Sequence, residues 1–194
     1  MATAKSLTSE EITKVLDYIA INPNSQRNRV MFLFTVLAGL RVSEVADLKI
    51  GDVRNVDGTI KSEIYLSGAR VKHNHARTVF VSTRLQDEIT NYISTKVVLN
   101  DAQPLFCTNR GARHAFSANT MTQHFHHMYK KCSIASGSSH SGRKTFITSL
   151  ANQGISVFVL ASLAGHWHSP NSVDKYYCQN LNGRNANAKS KIHS

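Results

Sequence analysis

The chain has 194 residues, 41% of them hydrophobic, which is enough for one ordinary globular domain with a real core. No apolar run reaches the roughly 18 residues of a membrane span, and the three cysteines show no CxxC spacing typical of a metal site. Lysine and arginine number 23 against 12 acidic residues, so the net charge of +11 favours a polyanionic partner, with nucleic acid as the leading candidate.

The first part of the chain carries helical patterns. Residues 6 to 20 begin with a Thr8/Ser9 cap and then place apolar residues at helical spacing, which predicts an amphipathic helix. Residues 26 to 40 predict a second helix that is apolar on most sides, as expected of a core helix. The stretch RVSEVADLKIGDV then predicts a short helix followed by a turn.

The hydrophobic period changes between about residues 60 and 82. The runs TIKSEIYL and RTVFVS alternate in polarity and are rich in β-branched and aromatic residues, which is typical of strands. A polar, basic connection separates them. We therefore expect a small antiparallel sheet with an exposed basic hairpin.

Helical patterns return in the second half of the chain. PLFCT predicts a short extended piece between two of them. Another helix is expected to begin near the cap candidates Ser138 and Ser139. The remaining predicted helices cover residues 83 to 98, 117 to 132, 155 to 165 and about 169 to 179.

These elements predict an α+β fold that is mainly helical. No linker divides residues 1 to 180, so we expect them to form one domain. Residues 181 to 194 are polar and lack an apolar period, which indicates a flexible tail or a segment that docks on a partner protomer. The opening MATAKSLTSEEI lacks a signal-peptide hydrophobic region, so we expect a cytoplasmic protein without a membrane partner.

Five segments place polar residues where a purely structural protein would not need them. Taken singly, each fits an ordinary role such as a helix cap, a solvated loop, a turn histidine or a core tyrosine. In chain order the segments are AGLRVSEVADL with Arg41 and Glu44, ARVKHNHARTVFV with Lys72, HSGRKTF with His140 and Arg143, LAGHWHSP with His166, and SVDKYYCQN with Tyr176. Together they resemble the tyrosine recombinase, or phage integrase, family over about residues 6 to 180.

The resemblance implies a site-specific DNA recombinase that acts in integration, excision or inversion on a mobile element. It implies that Tyr176 attacks a DNA phosphodiester to give a 3′-phosphotyrosyl link and a free 5′-hydroxyl. Lys72 would donate the proton to the departing 5′ oxygen, His140 would help to activate the tyrosine, and His166 would donate to a phosphate oxygen. The bond energy is conserved for rejoining, so no ATP, metal or other cofactor is expected.

The two arginines of the pattern supply planar cations that grip phosphate oxygens. Neither Arg41 nor Arg143 loses its charge at any relevant pH. Glu44 is expected to orient Arg41 from behind the reacting groups. Further contacts to double-stranded DNA are assigned to Arg70, His73, Arg77 and Lys144. The resemblance also implies self-association on DNA, from dimer to tetramer.

Two alternatives to this function remain from the sequence. One is a DNA-binding or architectural protein that keeps the fold without the chemistry, and the other is an enzyme like a type IB topoisomerase that relaxes supercoils. The stretch WHSPNSVDKY is one residue longer than in many family members, so Tyr177 competes with Tyr176 as the nucleophile. Most members also carry an N-terminal core-binding domain, and here the pattern starts almost at Met1, as in an excised catalytic domain or a naturally short recombinase.

A histidine cluster at His124, His126 and His127 forms a further candidate site. Histidines at such spacing can chelate a metal, but no acidic or cysteine ligand of suitable spacing accompanies them. We therefore expect a solvated or DNA-facing helix and no metal site.

Overall fold

The computed structural model describes residues 4–68, 76–96, 100–108 and 114–163. Within these ranges the chain is mainly helical and carries one two-stranded antiparallel sheet, which confirms the predicted fold class. The helices are α1 (Ser9–Ala20), α2 (Ser25–Leu37), α3 (Val42–Ala46), α4 (Ile50–Val53), α5 (Thr83–Ile93), α6 (Ala118–Lys131), α7 (Ser141–Asn152) and α8 (Val157–Leu163), and the strands are β1 (Glu63–Leu66) and β2 (Arg77–Phe80).

Helix α1 begins at the predicted cap. The Thr8 hydroxyl accepts a hydrogen bond from the Glu11 backbone N–H at 3.2 Å, and the Glu11 carboxylate accepts one from the Thr8 N–H at 3.0 Å. This reciprocal capping box satisfies two donors that a helix start leaves without partners. Val15 and Ile19 lie on the buried face of the helix.

Helix α2 is the central core helix. Every residue from Val30 to Val36 is buried, and the helix packs against α1, α3 and α5. It ends at Leu37, earlier than predicted, because Gly39 takes a left-handed conformation with φ of 65°. The chain therefore turns sharply just before Arg41.

The segment after this turn forms two short helices, whereas the sequence predicted one helix and a turn. Helix α3 packs against α6, and α4 packs against β1. The backbone at Lys49 is extended between the two helices, and the Asp52 carboxylate accepts a hydrogen bond from the Lys49 N–H at 2.7 Å. The short polar side chain of Asp52 thus supplies a second helix start that the sequence pattern did not reveal.

The two strands pair antiparallel, as predicted. Glu63 pairs with Phe80 and Leu66 pairs with Arg77. The inner face buries Ile64, Leu66, Arg77 and Val79, while Tyr65 and Phe80 are exposed on the other face. The expected basic hairpin includes residues 69–75, which lie outside the described residues.

The other predicted elements that fall within the described residues are present with changed boundaries. Helix α5 ends at Ile93, and the extended piece near Pro104 makes isolated bridges, Lys49 with Pro104 and Cys107 with Ala115. The predicted helix over 169–179 and the tail over 181–194 fall outside the described residues.

By its internal contacts the chain divides into two units, Met1–Phe146 and Ile147–Ser194, with the boundary inside α7. The first unit contains the large hydrophobic core around α2. In the second unit Ala151 and Leu160 are buried together with the neighbouring residues of α7 and α8. In the part of the chain that the structure describes, every helix is too short or too polar to cross a bilayer.

Candidate active site

Arg41 lies at the junction between α2 and α3, with extended backbone immediately before the first turn of α3. Glu44 holds it in two ways. One carboxylate oxygen, Oε2, accepts a hydrogen bond from the Arg41 backbone N–H at 2.8 Å, and the other, Oε1, accepts one from Arg41 Nη1 at 2.8 Å. The same side chain therefore caps the short helix and fixes the Arg41 guanidinium.

Arg77 approaches the same carboxylate from the sheet. It is the first residue of β2 and points to the inner face, where Nη2 donates to Glu44 Oε2 at 2.7 Å. Only 4% of the Arg77 side chain and 2% of the Glu44 side chain are exposed. This buried ion pair connects strand β2 to helix α3.

Arg143 reaches the site from the first turn of α7. Its Nη1 donates to the carbonyl oxygen of Gly39 at 2.5 Å, and its side chain is buried. The approach of α7 to α2 depends on Gly142, because a Cβ there would lie 2.0 Å from the hydroxyl oxygen of Thr35. The turn that ends α2 is thus followed directly by Arg41, and its Gly39 carbonyl oxygen accepts the hydrogen bond from Arg143.

The electrostatics of the cluster keep Glu44 ionised. Burial acts to raise the pKa of Glu44, but the positive charges of Arg77, Arg41 and Arg143 outweigh it and leave the pKa below its usual value. Burial lowers the pKa of Arg77, and the charge of Glu44 opposes this. The guanidiniums outnumber the carboxylate, so the cluster has a net positive charge suited to an anionic ligand.

His140 is the exposed residue just before α7. Its carbonyl oxygen accepts the hydrogen bond from Lys144 N–H at 2.9 Å that opens the helix. Ser138 and Ser141 brace this turn, since Ser138 N–H donates to the Ser141 hydroxyl at 3.0 Å. The helix begins at Ser141, slightly later than the predicted serine caps.

Lys144 is partly buried, which lowers the pKa of its ammonium group.

The structure therefore brings together four of the residues singled out from the sequence: Arg41, Glu44, Arg77 and Arg143. Arg77 was expected among the DNA contacts, yet its guanidinium is buried against Glu44. The other predicted site residues, Arg70, Lys72, His73, His166, Tyr176 and the competing Tyr177, lie outside the described residues.

Sequence reasoning missed two glycines that build the site. The left-handed turn at Gly39 and the close approach at Gly142 bring the elements that carry the arginines together. A signal was present, because Gly142 directly precedes Arg143 and Gly39 stands two residues before Arg41. Glycine at such positions is typical of tight turns and close backbone contacts.

The three histidines of the cluster differ in their exposure to solvent. His126 and His127 are exposed, in line with the expectation of a solvated helix. His124 departs from that expectation, because its ring lies 5.9 Å from that of Phe116 and 6.2 Å from that of Phe125. Burial, with the nearby charges of Arg27 and His127, lowers the pKa of His124 to about 4. Across the described ranges no three His, Cys, Asp or Glu side chains group as metal ligands.

Comparison with known proteins decides the family. A sequence profile described as the phage integrase family matches residues 5–183, which is most of the chain. The chain belongs to the phage integrase family. The resemblance drawn from the five segments is thereby confirmed.

Relatives within this family are named tyrosine recombinases. Tyrosine recombinase XerA of Pyrococcus furiosus is 29% identical over 163 residues, which cover 84% of this chain and 53% of the relative. The chain thus spans about half the length of the curated relatives it matches. The phage integrase fold is also shared with solved structures. A crystal structure of XerA recombinase superposes with a TM-score of 0.72 at 22% identity, covering 91% of this chain and 61% of that one.

A second solved structure captures a related protein on DNA. The XerH site-specific recombinase bound to palindromic difH substrate, in a post-cleavage complex, matches with a TM-score of 0.73 at 22% identity. The match covers 100% of this chain and 54% of that one. At this level of identity the likeness establishes the shared fold.

Proposed function

We propose that this phage integrase family member cuts and rejoins DNA strands as a site-specific recombinase through a 3′-phosphotyrosyl intermediate. The observation that carries the proposal is the largely buried cluster in which Arg41 and Arg143 converge on one turn, held by Glu44 and by the Gly39 carbonyl. Buried cations held in fixed positions are costly to maintain, and they suit a site that must stabilise negative charge as it develops on a phosphate.

The arginines supply the electrostatic part of the reaction. Negative charge builds on the non-bridging oxygens as phosphorus is attacked, and planar guanidiniums match those oxygens with paired N–H donors. Because the cluster is already assembled around Glu44, little reorganisation accompanies the reaction. In this role Arg41 and Arg143 stabilise the transition state more than they tighten DNA binding.

Family membership supports the roles of the remaining residues. The Tyr176 oxygen forms a bond to phosphorus, and the bond from phosphorus to the 5′ oxygen breaks. Lys72 gives that oxygen a proton, His140 assists the loss of the tyrosine proton, and His166 donates to a phosphate oxygen. Attack by a 5′-hydroxyl of the second strand then releases the tyrosine, so no ATP or metal enters the sequence of steps.

Double-stranded DNA is the proposed partner, and the charge of +11 supports it. The protein of the XerH complex is named as bound to its DNA substrate after cleavage, which supports the same partner here. We further propose that residues 1 to 180 act as the catalytic domain, that residues 181 to 194 form a tail, and that protomers associate on DNA from dimer to tetramer. We also propose that the reaction takes place in the cytoplasm.

The proposed function is tested by trapping the intermediate. A preferred site is first selected from a random-sequence DNA pool, and a nicked duplex built on it lets the cleaved end diffuse away. The wild-type chain is expected to become joined to the DNA 3′ end. Tyr176→Phe should abolish the adduct, and Tyr177→Phe should retain it, because adjacent residues of the helix that the sequence predicts over 169–179 would differ by about 100° in direction.

Three outcomes contradict parts of this proposal. An adduct that maps to Tyr177 overturns the choice of nucleophile. DNA binding with no adduct at any selected site favours the silent architectural alternative. Relaxation of supercoiled plasmid without recombinant product favours the topoisomerase alternative, which the tyrosine recombinase names of the relatives do not favour.

A further inference from the structure

The Arg77–Glu44 ion pair is buried far more deeply than an ordinary surface pair. The exposed fractions of its side chains are 4% and 2%. The pair of Arg29 with Glu88 has the same shortest distance, 2.7 Å, but its side chains are 34% and 19% exposed. Two charges withdrawn this far from water cost several kcal/mol each unless their partners are well placed.

Glu44 divides its two oxygens between its neighbours. Oε1 binds the Arg41 guanidinium, while Oε2 accepts from both the Arg41 backbone N–H and the Arg77 guanidinium. A carboxylate is planar, so fixing Oε2 also fixes the direction in which Oε1 points. The position of the Arg41 guanidinium therefore depends on the contact between Arg77 and Glu44.

The location of Arg77 argues against a direct DNA contact. Its side chain lies on the inner face of the sheet with Ile64, Leu66 and Val79. A side chain that is 4% exposed and bound to a buried carboxylate would have to break that pair to reach a phosphate. Leaving Glu44 with one cation fewer would be strongly unfavourable.

Arg77 also joins two parts of the fold that carry proposed site residues. It begins β2, and Lys72 lies in the sequence between β1 and β2. Glu44 belongs to α3, which follows directly after Arg41. The ion pair thus connects the start of strand β2 to the arginine junction.

We propose that Arg77 is a positioning residue that acts through Glu44, setting the orientation of the Arg41 guanidinium and tying strand β2 to helix α3. The inference rests on the proposed DNA-cleavage function. It assigns to Arg77 a role different from the DNA contact expected from the sequence.

The test compares Arg77→Met with Arg29→Met. The second variant is the matched control, because it removes the arginine of a multiply hydrogen-bonded pair elsewhere in the fold, with Glu88. Single-turnover cleavage of the nicked selected-site duplex is measured at saturating DNA from about pH 5 to 9, and the Kd for the duplex is measured separately. A urea titration of each variant records its stability.

Arg77→Met is expected to cleave roughly 10-fold to 100-fold more slowly at neutral pH, the loss typical of removing a partner that orients a reacting group. Its Kd should stay within about threefold of wild type, since Arg77 makes no contact with DNA in this account. The charged groups that face Glu44 are Arg41, Arg77 and Arg143. Removing Arg77 makes Glu44 easier to protonate, so the acid limb of the pH–rate profile should move to higher pH.

The control and a double variant separate positioning from stability. Arg29→Met should lose stability and retain wild-type cleavage and pH dependence. Arg77→Lys should recover part of the rate, because it keeps the charge but not the planar fork. The rate losses of Arg77→Met and Glu44→Gln should not add in the double variant, since both break the same contact.

Several results would overturn the inference. A weakened Kd with an unchanged saturating rate would make Arg77 a DNA contact. Equal cleavage losses in Arg77→Met and Arg29→Met would make it structural. If Arg77→Met does not fold, Arg77→Lys is measured instead. A wild-type cleavage rate and a wild-type pH dependence in Arg77→Lys would then overturn the inference. Failure of the wild-type chain to form any adduct contradicts the proposed function itself, and the two failures are therefore distinguishable.

Discussion

At the scale of single residues, the candidate site is organised around one carboxylate. Glu44 caps α3, fixes the Arg41 guanidinium and neutralises Arg77. The family resemblance implied that Glu44 orients Arg41, and the two side chains are hydrogen-bonded in the structure. The contribution of Arg77 was not predictable in this way, because the contact joins residues 33 apart in sequence through a strand pairing that sequence pattern does not specify.

Glu44 makes the stability of the protein depend on pH. Since its folded-state pKa is lowered, its ionised form stabilises the fold fully above the unfolded pKa of about 4.3, and this stability is lost as pH falls through the lower folded value. Glu44→Gln is expected to cost about 3 to 5 kcal/mol at neutral pH, because it leaves buried arginines without their counter-charge. As the pH falls from about 5 to 2, the free energy of unfolding of Glu44→Gln should decrease less than that of wild type.

Urea denaturation at a series of pH values checks this prediction. The exposed carboxylate of Glu63 on β1 provides the control, and Glu63→Gln should leave the acid profile close to wild type. An acid profile of Glu44→Gln that parallels wild type would show that Glu44 does not carry the linkage.

At the scale of elements, the site depends on how helix ends meet. Gly39 has φ of 65°, and a Cβ there would lie 2.3 Å from the ring of Phe146 on α7. Its carbonyl also binds Arg143. The turn therefore has to be left-handed and has to remain uncrowded if α7 is to approach α2.

Gly39→Ala is expected to reduce both stability and DNA cleavage. Gly154→Ala is the matched control, because Gly154 also has positive φ, 85°, but nothing lies within 4 Å of a Cβ placed there. Gly154→Ala should cost about 1 to 2 kcal/mol through backbone strain alone. Gly39→Ala should add roughly 1 to 3 kcal/mol from overpacking. Urea titrations measure both, and equal losses would exclude the clash with Phe146.

Most of the described elements could be predicted from the sequence because their signals are local. The capping box of α1, the apolar face of α2 and the alternation in β1 and β2 depend on residues close together in the chain. The ends of elements were less predictable. Helix α2 stops early because of the turn at Gly39, and α4 starts because of the Asp52 carboxylate. Both depend on backbone conformation that hydrophobic periodicity does not report.

The candidate site likewise combines residues that the sequence identified with contacts that it did not. The motif residues Arg41, Glu44 and Arg143 were identifiable from sequence. The Gly39 carbonyl and the burial of Arg77 were not, since each depends on packing between distant segments. His124 likewise has a neighbour, Phe116, that belongs to a preceding extended segment and not to its own helix.

At the scale of the whole molecule, we expect the net charge to govern the proposed encounter with DNA. The net charge of +11 is larger than that of the arginine cluster, so positive side chains outside the cluster can make sequence-independent phosphate contacts. In the proposed function these contacts would supply affinity, while the arginine cluster would act on the reacting phosphate. Binding and cleavage are therefore expected to respond differently to salt and to mutation.

DNA binding by this chain is expected to weaken steeply with salt. If about six phosphates are contacted, raising monovalent salt from about 50 to 200 mM should lower the affinity by a factor on the order of 10³, because counterion release loses its driving force. Fluorescence anisotropy with a labelled duplex measures the slope. A flat response would show that phosphate neutralisation does not dominate binding.

The most direct test of the arginine cluster is the separation of cleavage from binding in Arg41→Ala and Arg143→Ala. Both variants are first checked for folding by circular dichroism, with Arg143→Lys as a milder substitute, and Arg84→Ala on the exposed face of α5 serves as control. Single-turnover cleavage at saturating DNA should fall by about 10² to 10³ in each site variant, with Kd near wild type and Arg84→Ala unaffected. Near-normal cleavage by a folded Arg143→Ala protein would contradict the proposed role of the arginine cluster.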